Sequence, residues 1–281
     1  CIDFSMLWVY NSSMEKLSFS VSICTPQMRL SDYLRTKLGF SSALITKVKF
    51  GGISVNGQTV TARYPLKDGD RLCVTLPDEK SENISPMDIP LDIIYEDEHI
   101  LAVNKPKNMP THPSRGNSLP TLANAVMAYF GESFTFRAIS RLDRDTSGIV
   151  IIAKNAFSSA ILGRDMKEGR FTKIYTARVS GIPSVGTLID APIASEAEGS
   201  VTRVVREDGK RALTEIIRVT PVGENSVCEI KLHTGRTHQI RVHLSHIGHP
   251  LVGDFLYGEP LECGYFLHCS KLCFPHPTSR E

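Results

Sequence analysis

The chain has 281 residues, of which 41% are hydrophobic and 22% charged, and its formal net charge is +2. No apolar run approaches the ~18 residues that span a bilayer, and CIDFSMLWVY has no basic residue ahead of its apolar stretch. We therefore expect neither a membrane protein nor a secretory signal. The seven cysteines are irregularly spaced and form no CxxC pair, which argues against a disulfide framework and favours the cytoplasm.

The positive charge is concentrated near the N-terminus. Residues 15–80 hold ten Lys/Arg against six Asp/Glu, whereas acids outnumber bases in the rest of the chain. A basic region of this kind can bind phosphates. A solvated charged surface is the alternative interpretation of the same pattern.

The first predicted elements are two short helices and a small sheet. MRLSDYLRTKLGF places apolar residues at helical spacing, with Ser31 as the expected cap. SSALITKVKF predicts a second short helix, capped by Ser41 or Ser42 and ended by a Gly-Gly pair. ISVNGQTV then predicts a hairpin because β-branched residues flank an Asn-Gly turn, and DGDRLCVTL predicts a further strand.

This order of elements resembles the alpha-L RNA-binding motif, which occurs in a ribosomal small-subunit protein family and in several RNA-modifying enzymes. The resemblance covers roughly residues 27–75 and rests on RLSDYL, the VNG turn and KDGDRL. It implies that the two helices present basic side chains to RNA. The candidates for this contact are Arg29, Arg35, Lys37, Lys47 and Lys49.

A polar, proline-containing segment follows and predicts a linker. Beyond it, strand-like runs outnumber helical ones and do not alternate with them, which favours an α+β fold over a doubly wound one. We expect a mixed, mostly antiparallel central sheet flanked by helices and loops, preceded by the small αα-β domain. The predicted division is an extension at 1–13, an RNA-binding domain at 14–78, a linker at 79–90 and a second domain at 91–281.

Within the second domain, SRLDRDTSGIVIIA at 140–153 places four charges directly before an apolar strand. A carboxylate held there beside guanidinium groups stays oriented, and carboxylates can act as nucleophiles at sugar anomeric carbons. The alternative is a loop whose acids and arginines only pair with one another.

A second cationic segment, LHTGRTHQIRVHLSHIGHPLVGDFLYG, suits contacts to phosphate or carboxylate groups. Its histidines have arginine and glutamine as neighbours rather than acids or thiols, which argues against a metal ion. HCSKLCF near the C-terminus is more typical of a strand than of a zinc site. We expect no metal and no cofactor.

These segments together resemble the RluA-type pseudouridine synthase family. RLDRDTSG, KIYTARVSG, TGRTHQIRVHL with GHPLVGD, and FLHCSKLCFPHP occur in this order, after NKPKNMPTHPSRG, and the resemblance spans residues 92–277. It implies an isomerase that converts uridine to pseudouridine in RNA, ribosomal RNA foremost and transfer RNA as the alternative. The reaction is redox-neutral, so it implies no cofactor. No pattern encodes the oligomeric state, and a monomer is the default expectation. One departure is Ser140, where the family often has histidine.

The resemblance also implies roles for individual residues. Asp143 matches the catalytic aspartate, and Arg141 the arginine that helps to displace the target base. Tyr175 matches the tyrosine that lies against the uracil, and Leu267 is similar to the apolar residue on the other side of the base. Arg236 is similar to the arginine that pairs with the catalytic aspartate.

Two rival functions remain open on the sequence. The first is a non-catalytic RNA-binding or ribosome-assembly protein, which would leave no pseudouridine in RNA. The second is a glycoside hydrolase that uses Asp143 and Asp145 as its two carboxylates. It would release free base or sugar instead of isomerised RNA.

Overall fold

The computed structural model describes residues 16–22, 28–76, 84–113, 120–131 and 134–281, so the predicted extension at 1–13 lies outside the described residues. An N-terminal unit comes first, with its four strands in one antiparallel sheet ordered β1-β4-β2-β3. Its elements are β1 (Lys16–Ser20), α1 (Leu30–Thr36), α2 (Ser42–Val48), β2 (Ile53–Val55), β3 (Gln58–Thr59) and β4 (Arg71–Thr75).

Local sequence signals explain most of this unit. The Ser41 hydroxyl accepts the backbone N–H of Leu44 at 3.1 Å, which confirms the predicted cap of α2. The prediction of Ser31 as the cap of α1 is wrong. The helix already begins at Leu30 because the extended backbone of Arg29 is held by a bridge to Pro65.

The second group of elements surrounds an eight-stranded sheet in the order β5-β6-β7-β14-β8-β13-β12-β9. Every neighbouring pair is antiparallel except β7 and β14, which confirms the α+β class. The elements are β5 (Ile93–Glu96), β6 (Ile100–Lys105), α3 (Leu122–Phe130), β7 (Ser147–Ala153), α4 (Ala156–Lys167), β8 (Thr172–Ser180), β9 (Leu188–Asp190), β10 (Ile193–Ser195), β11 (Arg203–Val205), β12 (Leu213–Val222), β13 (Asn225–Leu232), α5 (Gln239–His246) and β14 (Leu267–Cys273).

The apolar stretch at residues 93–103 forms a hairpin of β5 and β6. The Asp97 carboxylate accepts the backbone N–H groups of His99 and Ile100 at 2.7 and 2.8 Å. These bonds fold the chain back after Glu96. An aspartate that binds nearby backbone amides is a turn signal, and here it outweighs the apolar pattern.

The approach of β14 to β7 places the charged loop of residues 140–146 at one end of the sheet. Gly148 has φ +114°, and a Cβ there would lie 2.4 Å from the carbonyl oxygen of Cys269. Only glycine permits this contact. Ser147 and His268, which are paired in register, are joined by an Oγ–Nδ1 hydrogen bond of 2.9 Å.

Helix α4 packs against the N-terminal unit. The buried side chains of Phe157 and Ile161 belong to the hydrophobic core of that unit, and the Phe157 ring lies 5.2 Å from the ring of Phe40. Leu162, on the same helix, packs instead against buried residues of the large sheet such as Ile151. The helix therefore contributes to both cores.

The described part of the predicted linker contacts α3. The Asn124 side chain donates to the carbonyl oxygen of Ser85 at 2.7 Å, and the Met87 N–H donates to the Asn124 carbonyl oxygen. The boundaries at 14–78, 79–90 and 91–281 stay predictions. No helix within the described residues is long and apolar enough to cross a membrane.

Candidate active site

A cavity of about 60 Å³ lies between the loop of residues 140–146, β8, β14 and the start of α5. We call it the catalytic cleft. All five residues for which the sequence predicts a role in the second domain line it, together with buried side chains from the same elements. The lining residues are Arg141, Leu142, Asp143, Thr146, Tyr175, Leu232, Arg236, His238, Gln239, Ile240, Arg241 and Leu267.

The backbone beside Asp143 is anchored from one side by Thr111. The Thr111 hydroxyl donates to the Leu142 carbonyl oxygen at 2.8 Å and accepts the Leu142 N–H at 3.1 Å. The Leu142 side chain is buried in the main core. This pair of hydrogen bonds and this burial fix the position from which the Asp143 side chain meets the cleft.

Lys105 anchors the other end of the loop, and the sequence reasoning assigned it no role. Its fully buried ammonium donates to the carbonyl oxygens of Pro106, Met109 and Arg144 at 2.8, 2.7 and 3.1 Å. Burial lowers the pKa of Lys105 to about 8, against the opposing effect of Asp145 and Asp143. A lysine-proline pair at the end of an apolar strand was the available signal.

Tyr175 and Leu267 stand on neighbouring antiparallel strands, β8 and β14, and both are largely buried. Burial, followed by the proximity of Cys269 and Asp143, raises the pKa of Tyr175 well above its ordinary value. Its phenol is therefore protonated at neutral pH. An aromatic and an aliphatic side chain in one cleft offer apolar contact surface to a planar ring.

The buried cation of the cleft is Arg241. Its Nε and terminal nitrogen both donate to Asp254 at 2.7 Å, and its guanidinium carbon lies 4.5 Å from the centre of the Tyr265 ring. Burial lowers the pKa of Arg241, but Asp254, Tyr265 and Asp143 raise it by more. The sequence reasoning missed this pair. Helical spacing gives no signal for it, because residues 239–244 of α5 are all buried.

Arg236 is placed differently from the expectation. The predicted ion pair between Arg236 and Asp143 is absent from the described residues. Arg236 is exposed, and its Nε donates to the carbonyl oxygen of Arg211 at 2.9 Å. It lies in the loop before α5, whereas Arg241 projects from the helix itself, which explains why only the latter is buried.

Two other residues of the GRTHQIRVHL motif hold α5 in place. The Gln239 amide donates to Leu213 and Thr214 and accepts the N–H of Arg236. His243 donates from Nε2 to the carbonyl oxygen of Ala191 at 2.8 Å, so its Nδ1 accepts from the Thr214 hydroxyl. Both side chains are buried.

The charged residues next to Asp143 in the sequence occupy different positions relative to the cleft. Arg141 is exposed at the edge of the cleft. Asp145 does not line the cleft, and its carboxylate accepts from both Nε and the terminal nitrogen of Arg144 at 2.9 to 3.2 Å. A hydrolase would need two acids facing one substrate, and the cleft contains only Asp143 of the two.

The basic candidates of the N-terminal unit lie on its surface. Arg29, Arg35, Lys37 and Lys47 are exposed and Lys49 is half-buried. The sequence reasoning missed Phe50, which is 83% exposed. The Lys49 ammonium lies 4.7 Å from the centre of this ring. No group of three or more His, Cys, Asp or Glu side chains among the described residues could hold a metal ion.

Comparison with known proteins agrees with this geometry. The family model described as RNA pseudouridylate synthase matches residues 99–246. A Bacillus subtilis (strain 168) protein, described as the uncharacterized RNA pseudouridine synthase YjbO, is 41% identical over 254 residues, which cover 87% of this chain and 90% of that protein. Ribosomal large subunit pseudouridine synthase D of Zymomonas mobilis is 36% identical, covering 81% of this chain and 79% of that protein.

The solved structure of human RNA pseudouridylate synthase domain containing 1 is similar to 68% of this chain. It has a TM-score of 0.56 and 30% sequence identity, and 81% of that chain is covered. The fold and the cleft thus define an RNA-modifying isomerase. The chain belongs to the RNA pseudouridylate synthase family, whose members convert uridine to pseudouridine in RNA.

Proposed function

We propose that the chain isomerises uridines of ribosomal RNA with Asp143 as its catalytic residue. The observation that carries this proposal is the meeting of Arg141, Asp143, Tyr175, Arg236 and Leu267 in one cleft. These residues come from segments up to 126 positions apart in the chain. The similarity to a ribosomal large subunit pseudouridine synthase supports ribosomal RNA as the substrate.

The reaction breaks the N1–C1′ bond of uridine, turns the base and forms a C5–C1′ bond, after which the C5 proton leaves. It consumes no oxidant or reductant. The Asp143 carboxylate either attacks C1′ or removes a proton from C2′ to form a glycal. In both routes Tyr175 and Leu267 hold the detached uracil between them while it rotates. A water takes the C5 proton, or the Tyr175 oxygen does so after the phenol has given its own proton to N1 of the detached uracil, so that proton gain and loss balance.

The exposed lining residues of the cleft are Arg141 and Arg236. A base that enters from solvent therefore passes these two arginines. A paired uridine must also leave its helix to reach Asp143.

The test is tritium release from large-subunit ribosomal RNA transcribed with [5-³H]uridine. We expect Asp143→Asn to reduce release by roughly 10³-fold or more, as loss of an essential catalytic group does. The matched control is Asp145→Asn, which changes an acid two residues away that pairs with Arg144 outside the cleft, and it should retain activity. Normal release by the Asp143→Asn variant would remove this residue from its proposed role.

The basic side chains of the N-terminal unit are proposed to bind the same RNA. Their exposure on one small unit and the exposed Phe50 ring support this role, because lysines attract phosphates and aromatic rings stack on unpaired bases. We also propose that the protein acts as a monomer in the cytoplasm. Light scattering tests whether the protein is a monomer. Pseudouridine mapping of ribosomal and transfer RNA from cells lacking the gene tests which RNA is the substrate.

A further inference from the structure

A second cavity, of about 460 Å³, lies beside the catalytic cleft. We call it the flanking groove. It is bounded by β10, by residues 208–210 and by residues 235–237, and Arg236 lines both the groove and the cleft. Its volume falls within the ~300–1,000 Å³ of typical ligand sites. A ligand held in the cleft can therefore continue into the groove past Arg236.

The side chains of the flanking groove favour an anion. Arg203, Lys210 and Arg236 line it, against a single carboxylate, Asp208, which is already paired with Arg206. Lys210 is exposed and makes no side-chain hydrogen bond or ion pair within the described part of the chain. Among the same residues, Arg236 uses only its Nε, so its terminal nitrogens remain available as donors.

The backbone that carries Lys210 is fixed before any ligand binds. Ile193 and Lys210 exchange two backbone hydrogen bonds of 2.9 Å. A Cβ on Gly209 would lie 2.6 Å from the carbonyl carbon of Ile193, so this loop is in close contact with β10. Such a rigid support reduces the entropy that binding must overcome.

We propose that the flanking groove binds the nucleotide adjacent to the target uridine, with Lys210 and Arg236 donating to its phosphate. This inference rests on the proposed function, because the target nucleotide then occupies the neighbouring cleft. The uridine that enters the cleft stays joined to its neighbours through phosphodiester groups. The bound neighbour holds the strand in place while the uracil is detached from its ribose.

The experiment compares Lys210→Ala and Lys210→Glu with Lys271→Ala and Lys271→Glu, which make the same changes at an exposed lysine of β14. The probe is the [5-³H]uridine ribosomal RNA transcript. We expect both Lys210 variants to raise KM and Kd with unchanged kcat, and the glutamate variant to raise them more. The slope of log Kd against log salt concentration should fall by about 0.7 in Lys210→Ala, as for one lost phosphate contact to single-stranded RNA.

A second variant, Ser195→Trp, fills the groove from the exposed end of β10. We expect it to raise KM while the thermal midpoint stays unchanged. The inference is overturned if KM, Kd and the salt slope of Lys210→Glu equal those of Lys271→Glu and Ser195→Trp keeps the wild-type KM. A wild-type protein without tritium release would defeat the proposed function instead, because Kd and its salt slope are measured without turnover.

Discussion

The cations that shape the catalytic cleft and those of the N-terminal unit are placed in opposite ways. Arg241, which lines the cleft, and Lys105, which anchors the loop of Asp143, are buried, and Asp254 and carbonyl oxygens accept their N–H donors. On the N-terminal unit, Arg35 and Lys37 are exposed to solvent. Salt screens the interactions of buried charges little and those of exposed charges strongly. We infer that the first set fixes the shape of the cleft and the second attracts RNA.

The largest expected effect comes from breaking the buried ion pair. Asp254→Asn leaves the guanidinium of Arg241 buried without its counter-charge, which should lower the free energy of unfolding by about 3–5 kcal/mol. Denaturant unfolding at pH 7 measures this loss. The control, Glu229→Gln, removes the acid of the exposed pair with Arg218 and should change stability little. If both variants lose the same free energy of unfolding, the burial of the Arg241–Asp254 pair does not increase its contribution to stability.

The next effect concerns the proton on Lys105. Its pKa is about 8, so the ammonium form prevails below pH 8 and the neutral amine above it. A neutral amine has two N–H donors for three carbonyl acceptors, and the loop that carries Asp143 loses one anchor. We expect kcat to decline as the pH rises through about 8.

The control for this pH effect is Lys105→Met, which has no proton to lose at this position. We expect its kcat to be about 10²-fold lower throughout, as small displacements of catalytic groups cause, and to show no decline near pH 8. Lys107→Met makes the same change two residues away and should retain the wild-type profile. A decline that persists in Lys105→Met would assign the titration to another group.

The smallest effect should come from the exposed aromatic ring. Phe50→Ala should weaken RNA binding by about 1–3 kcal/mol, the contribution of one stacked base, with kcat unchanged. Tyr129→Ala, which removes a half-exposed ring from α3, serves as the control. Filter binding to the ribosomal RNA transcript measures both. If both variants bind like wild type, the exposed cations act without Phe50.

The sequence predicted most of the fold because its local signals agree with the tertiary structure. The Asn-Gly turn has φ of +51° at Asn56 and +82° at Gly57, as a tight hairpin requires. Thr121 caps α3 through a reciprocal bond with Asn124. Helix α5 was missed because its polar and charged residues, such as Gln239 and His243, are buried through hydrogen bonds that no apolar pattern reveals.

The site could be predicted only as a set of residues. The motifs around Asp143 and Tyr175 identify which side chains meet in the cleft. They do not show which arginine is buried, because Arg236 and Arg241 lie five positions apart in one motif and differ only through their place relative to α5. Asp254 and Lys105 contact the site through distant elements, and such contacts appear only once the sheet has formed.

Helix α4 contributes side chains to two hydrophobic cores. Phe157 packs in the core of the N-terminal unit and Leu162 in the core beside the large sheet. Unfolding of either unit therefore exposes apolar side chains of the other. Heat should therefore unfold the molecule in one cooperative step. A fragment that begins at residue 84 lacks the N-terminal unit, so the side chains of Phe157 and Ile161 would be exposed to solvent. Such a fragment should self-associate through this apolar surface.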